Sequence, residues 1–199
     1  MTGIAMPRIT RESLMTLEAY HKARPEFRRQ VIAHKKRRTV ALGDHVTLLF
    51  EDEMTIRYQI QEMLRIEKIF EEEGIRHELD SYSPLIPDGR NLKATMMIEY
   101  PDVALRRAAL ARLKGVEKRV WLQVEGSPRV YPIADEDLER ENEEKTSAVH
   151  FLRWELTEEM AGALKYGVSL SMGVDHPNYQ AAQSPLAADT RNALVADLA

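Results

Sequence analysis

Apolar positions change their spacing several times along the chain, and each change marks an element. Through Met54–Glu73 (MTIRYQIQEMLRIEKIFEEE), Ile56, Ile60, Met63, Leu64, Ile66 and Phe70 recur three or four residues apart, which predicts an amphipathic helix stopped by Gly74. Upstream, Thr10 is placed to cap a helix over Thr10–Ala23, and Pro25 suits the first turn of a second, Pro25–Arg38. Short alternating runs predict strands at Thr39–Leu42 and His45–Glu51, joined by a turn at Gly43-Asp44. Residues 75–83 suit a further short helix, before Ser83-Pro84 and the turn signal Pro87-Asp88-Gly89.

Lys93–Tyr100 alternates as a strand does: Ala94, Met96, Ile98 and Tyr100 share one face, Lys93, Thr95, Met97 and Glu99 the other. A helix over Val103–Lys114 ends at Gly115, and strands follow at Arg119–Val124 and Arg129–Ala134. The acidic run Asp135–Lys145 reads as solvated. Ser147–Leu156 is the clearest strand, Thr157–Tyr166 a helix capped by Thr157, and Val168–Asp175 a last strand. These elements predict an α+β fold, a mixed, largely antiparallel sheet packed by N-terminal and central helices. The expected organisation is a flexible leader over residues 1–9, one α+β domain over 10–178, and an Ala-rich, weakly amphipathic C-terminal tail of disordered character over 179–199.

Within the Met54–Glu73 pattern, an advance of roughly 100° per residue puts Glu67 in the middle of the apolar arc, with Gln59 beside it. A buried carboxylate must find a partner, hold a proton or ligate a cation. Strand alternation places His150 with Leu152, Trp154 and Leu156, and His176 with Val168, Leu170, Met172 and Val174, so both imidazoles fall on apolar faces. Glu67, His150 and His176 together make a candidate set for a divalent first-row metal such as iron, manganese or zinc. Against this, a parallel crossover through Thr157–Tyr166 would separate the two histidines by about 20 Å, at roughly 3.3 Å per residue. Arg57, Arg65 or Lys93 would alternatively pair with Glu67 as a structural ion pair, and Glu62 and Arg65 are spaced as an ordinary surface pair. As catalytic groups the candidates are Glu67 as base, with Lys93 or Arg153 holding an anionic substrate. Glu18-x-x-His21 lacks the second copy a di-iron bundle needs. His34 reads as a packing residue on the Phe27/Val31 face, and His34-Lys35-Lys36-Arg37-Arg38 as a solvated helix end favoured by the helix dipole.

Composition narrows the chemistry further. The 199 residues contain no cysteine, which removes disulfides, thiolate nucleophiles and cysteine-held clusters from this chain. A net charge of −4 argues against general nucleic-acid affinity, and no apolar run approaches the roughly 18 residues of a membrane span. The segment MTGIAMPRIT lacks the layout of a signal peptide, so the cytoplasm is the expected compartment. No phosphate loop, dinucleotide fingerprint or Gly-x-Ser-x-Gly elbow occurs.

The stretches ITRESLMTLEAYHKARPEFR, VIAHKKRRTVALG, TLLFEDEMTIRYQIQEMLRIEKIFEEEGI, LIPDGRNLKATMMIEYPD, IADEDLERENEEKTSAVHFLRWEL and GVDHP resemble the bacterial family filed as domain of unknown function 3501, over about residues 8–178. The resemblance implies no settled activity and carries no family site onto these residues. It does imply a setting beside rubrerythrin-like proteins and iron–sulfur oxidoreductase subunits, hence a redox partner protein and a link to peroxide defence. The leading expectation is a cytoplasmic accessory or ligand-binding protein of an iron-dependent redox system. A metal-dependent or acid–base enzyme on a small molecule is the alternative. A structural interaction protein, with a homo-oligomer among its partners, is the third.

Overall fold

The computed structural model describes residues 9–199. The expected leader therefore lies outside the described residues except for Ile9, which is buried.

Thr10 caps only a single tight turn, Arg11–Ser13. The first long helix, α1 (Leu17–Lys36), starts at Thr16, whose hydroxyl accepts from the Ala19 amide, and runs through Pro25 without ending there. Two helices were expected. Proline forfeits one backbone bond, but Tyr20 and Val31 on either side of it are fully buried, and Phe27 meets both Tyr20 and Tyr58 edge-on. Packing on both flanks outweighs that one bond.

Strands β1 (Thr39–Leu42) and β2 (Val46–Phe50) form the expected hairpin. Helix α2 (Glu53–Ile66) follows, opened by a capping box between Asp52 and Thr55, and stops where the sequence pattern does not. Glu67 caps its C-terminus, Lys68 takes a left-handed backbone (φ +56°), and α3 (Glu72–Tyr82) folds back. Gly74, the expected stop signal, lies inside α3. A Cβ there would come within 2.6 Å of Ile69 Cγ2, so glycine is what lets the reversal close this tightly. The reversal brings Ile75 of α3 onto Ile56, Ile60 and Leu64 of α2, together with Ile9 and Leu14, in one apolar cluster.

The remaining elements are β3 (Asn91–Ile98), α4 (Val103–Arg112), β4 (Val120–Val124), β5 (Ile133–Ala134), β6 (Val149–Glu155), α5 (Glu158–Lys165), β7 (Leu170–His176), β8 (Tyr179–Gln183) and α6 (Ala188–Val195). They build two antiparallel sheets, β1-β2-β3-β6-β5 and β4-β7-β8. The larger sheet turns Leu42, Leu48, Phe50, Leu92, Met96, Leu152 and Trp154 into the main core. There they join Leu122, Leu170 and Met172 of the smaller sheet and Leu110, Leu164 and Leu194 of α4, α5 and α6. Trp154 Nε1 donates to the Val120 carbonyl at 3.0 Å, tying one sheet to the other. The fold class is the α+β arrangement expected. Helix α5 is not a crossover between parallel strands, however, because β6 and β7 belong to different sheets.

The C-terminal segment expected as a tail is structural. Strand β8 pairs with β7, Tyr179 Oη donates to the Leu42 carbonyl, and Leu186, Leu194 and Leu198 are buried. Arg38, expected to be solvated, is 2% exposed and donates to the carbonyls of Phe50, Glu51 and Ala193 and to Asp197. No helix among the described residues is long and apolar enough to cross a membrane.

Candidate functional site

The larger sheet leaves its second face partly open. The residues of β2, β3 and β6 that alternate with the core positions line it: Thr47 and Leu49, then Lys93, Thr95 and Met97, then Val149, Phe151 and Arg153. Cross-strand register places Lys93 opposite Arg153 and Thr95 opposite both Leu49 and Phe151. One rung further the Glu51 amide donates to the Lys93 carbonyl at 2.9 Å, so Glu51, Lys93 and Arg153 form a single row across three strands. Tyr82, Pro84 and Leu85, from the end of α3 and the turn after it, stand over this row on one side. Asp137 and Arg140 stand on the other. The cleft between them holds about 420 Å³, a size suited to a small metabolite.

Glu51, Lys93, Arg153 and Arg140 are each held by specific partners. Glu51 is 7% exposed, and its carboxylate accepts from Thr55 Oγ1 at 2.5 Å and Thr95 Oγ1 at 2.6 Å. Lys93 Nζ donates to the Pro84 and Ile86 carbonyls at 2.7 and 3.0 Å, which fixes the turn that forms the wall. Burial lowers the Lys93 pKa, with Arg153 adding to the effect and Asp88, Glu136 and Glu155 opposing it. Arg153 makes a bidentate pair with Glu136, at 2.8 and 2.7 Å, and a second pair with Glu155. Hydrogen bonding from Arg153 in turn lowers the Glu136 pKa. The Arg140 guanidinium lies 4.6 Å from the Phe151 ring centre and pairs with Asp135 and Asp137.

His150 supports this wall from inside the core. Its ring is 1% exposed; Nδ1 lies 2.6 Å from Asp135 Oδ2, and Nε2 lies 3.1 Å from both Thr146 Oγ1 and the Ser147 carbonyl. Asp135 also accepts from the Phe151 amide at 2.9 Å and sits in a left-handed backbone (φ +51°). That kink turns the chain so that Glu136 meets Arg153 and Arg140 covers Phe151. The acidic run expected to be wholly solvated thus supplies a largely buried anchor, Asp135, and three side chains of the site, Glu136, Asp137 and Arg140.

Of the candidates read from the sequence, Lys93 and Arg153 come together here. The proposed metal set does not assemble. Glu67 is exposed at the C-terminus of α2, because the helix ends before the apolar arc could bury it, and it lies outside the cleft. Both ring nitrogens of His150 face Asp135, Thr146 and Ser147. His176, 7% exposed as alternation places it, is taken up by the Lys114 carbonyl (Nε2, 3.0 Å) and the Asn178 amide (Nδ1, 3.2 Å). Among the described residues no group of three or more His, Cys, Asp or Glu side chains is arranged to hold a metal ion. Glu67, read as the base, therefore lies apart from Lys93 and Arg153, the groups read as holding its substrate.

The expected partners of Glu67 are engaged elsewhere: Arg57 with Glu53 and Ser13, and Arg65 with Glu62. Glu62 is more than a surface residue, since its side chain is 13% exposed and gathers Tyr20, Arg24 and Arg65. Glu18 and His21 are both exposed. His34 is half-buried with Nε2 at 2.5 Å from Asp52. Sequence reasoning missed Glu51, Asp135 and Arg140. Glu51 follows the alternation of His45–Glu51 onto the open face, so its side was readable, whereas the enclosure of that face by α3 and residues 135–140 was not.

A crystal structure at 1.90 Å, described as a novel protein of unknown function from Burkholderia pseudomallei K96243, is similar to this chain. The two share 59% sequence identity over 97% of this chain and 100% of that one, with a TM-score of 0.92. No curated protein matches the chain. Residues 8–198 match the family described as Protein of unknown function (DUF3501), and the chain belongs to that family.

Proposed function

We propose that this protein binds a small polar metabolite in the cleft on the open face of its larger sheet. The observation that carries this reading is the row Glu51–Lys93–Arg153 on the floor of a 420 Å³ cleft, beside the apolar surfaces of Phe151 and Leu85. A few convergent polar groups among apolar walls make the arrangement of a small-molecule site. Partnership with a redox protein rests on the family resemblance alone, and co-purification of the untagged protein from its source is its test.

The binding reading is tested by thermal-shift screening of small carboxylates, amines, phosphates, sugars and carbonyl compounds, with hits measured by calorimetry. A ligand at 100 times its Kd adds about 2.7 kcal/mol of stability. For a chain of this length that raises Tm by roughly 5–11 °C. Leu85→Trp, which places an indole over the cleft, should abolish the shift and leave the unliganded fold intact. The reading fails if no compound stabilises the wild type, or if L85W leaves every hit unchanged.

A further inference from the structure

Glu51, the residue just after β2, stands opposite Lys93 of β3 and lines the same cleft, yet their charged ends do not meet. The Glu51 side chain turns to the hydroxyls of Thr55 and Thr95, and Lys93 turns to two backbone carbonyls. Neither forms an ion pair among the described residues. The other lining charges differ: Arg153 is taken by Glu136 and Glu155, Arg140 by Asp135 and Asp137, and Asp80 is exposed at the rim. A carboxylate that is 7% exposed, accepting only neutral hydroxyls, retains lone pairs for a donor and strongly favours a cationic one. A half-buried ammonium bonded only to carbonyls favours an anion in the same way.

Building on the binding reading above, we infer that the cleft takes a small zwitterion of the α-amino-acid class. Its ammonium group meets Glu51, its carboxylate meets Lys93, and its side chain lies against Phe151 and Leu85. The charge arrangement selects against the alternatives. A dicarboxylate sets one acid group against Glu51. A diamine sets one ammonium against Lys93. A phosphate ester calls for two or more unengaged cations, and both arginines are already paired.

The test compares each common α-amino acid with its deaminated acid and its decarboxylated amine, by calorimetry on the full chain. Leucine, 4-methylpentanoate and 3-methylbutylamine form one such trio. At least one amino acid should bind 10-fold or more tightly than both of its single-charge relatives, a factor equivalent to about 1.4 kcal/mol. Glu51→Gln, which keeps an acceptor oxygen for one threonine and offers its amide N–H to the hydroxyl oxygen of the other, should lower that amino acid's affinity at least 10-fold and leave the deaminated acid's affinity unchanged. Lys93→Met should do the converse, sparing the amine. If K93M loosens the wall and fails to fold, the wild-type trio and E51Q decide the matter. Equal affinity for a single-charge relative, or an E51Q protein that binds the amino acid as well as the wild type, overturns the inference. If a different class of compound binds and is blocked by L85W, the zwitterion assignment fails while the binding reading stands. If nothing binds, both fail.

Discussion

Replacing Arg38 by methionine should be among the most damaging single changes to this protein, and its cost should depend on pH. The guanidinium is 2% exposed and satisfies the carbonyls of Phe50 (3.0 Å), Glu51 (3.1 Å) and Ala193 (3.0 Å) as well as the Asp197 carboxylate. Arg38→Met keeps much of the apolar volume but strands a carboxylate whose side chain is 10% exposed. Removing one partner of a buried pair costs about 3–5 kcal/mol, or roughly 6–20 °C in Tm for a chain of this size. Burial raises the Asp197 pKa above its ordinary 3.8, and hydrogen bonding from Arg38 holds that rise in check. A carboxyl raised in the folded state contributes stability that is complete below its unfolded value and lost as pH climbs through its folded value. Without Arg38 the rise is larger, so the R38M deficit should be greatest at neutral pH and shrink toward pH 4. Adding Asp197→Asn to R38M should recover part of the loss at pH 7 and little at pH 4. Urea titrations followed by circular dichroism at both pH values measure the wild type, R38M and the R38M/D197N double variant. A neutral-pH loss under about 1 kcal/mol, or a deficit independent of pH and unrelieved by D197N, would refute the assignment of Arg38 as a structural cation.

Other substitutions probe separate parts of the argument. Glu62 is held down to about 2, chiefly by its hydrogen bond from Arg24, so its contribution to stability is present above 4.5 and lost as pH falls toward 2. Glu62→Gln should flatten the dependence of Tm on pH across that window, and an unchanged acid limb would count against it. Gly173→Ala drives a methyl into the Trp121 ring and to 2.6 Å from the Ala181 carbonyl oxygen. The expected loss is about 1–3 kcal/mol with a shifted tryptophan fluorescence spectrum, and a neutral result would mean that β4 and β8 give way easily. His150→Ala should release Asp135 and with it the wall carrying Arg140. Faster proteolysis between residues 136 and 145 is the expected signature, and wild-type protection would show that the wall stands without the imidazole.

Strand faces were the most readable part of this chain, because alternation in Lys93–Tyr100 and Ser147–Leu156 depends only on neighbouring residues. It placed His150 in the core and put Lys93 and Arg153 on the opposite side, where both line the cleft. The helical period over Met54–Glu73 misled for a physical reason. Two helices that fold back onto one apolar cluster continue nearly the same spacing as one long helix, so the periodicity carries no mark of the break at Glu67 and Lys68. Glu67 thus lay on the arc of a helix that ends before reaching it.

Arg38 and the C-terminal segment were misread together, and each explains the other. Locally, Arg38 ends a basic run at a helix terminus and residues 179–199 are rich in alanine, so neither advertises burial. The bonds from Arg38 to Ala193 and Asp197 span more than 150 positions, and they give α6 a reason to dock that its own weak amphipathicity does not supply. The same guanidinium fixes the Phe50 and Glu51 carbonyls at the end of β2, where the chain leaves the sheet for α2 and presents the Glu51 side chain to the cleft. The buried cation therefore links the docking of the C-terminus to the geometry of the candidate site. Truncation before α6 should consequently weaken ligand binding at a cleft that α6 does not line.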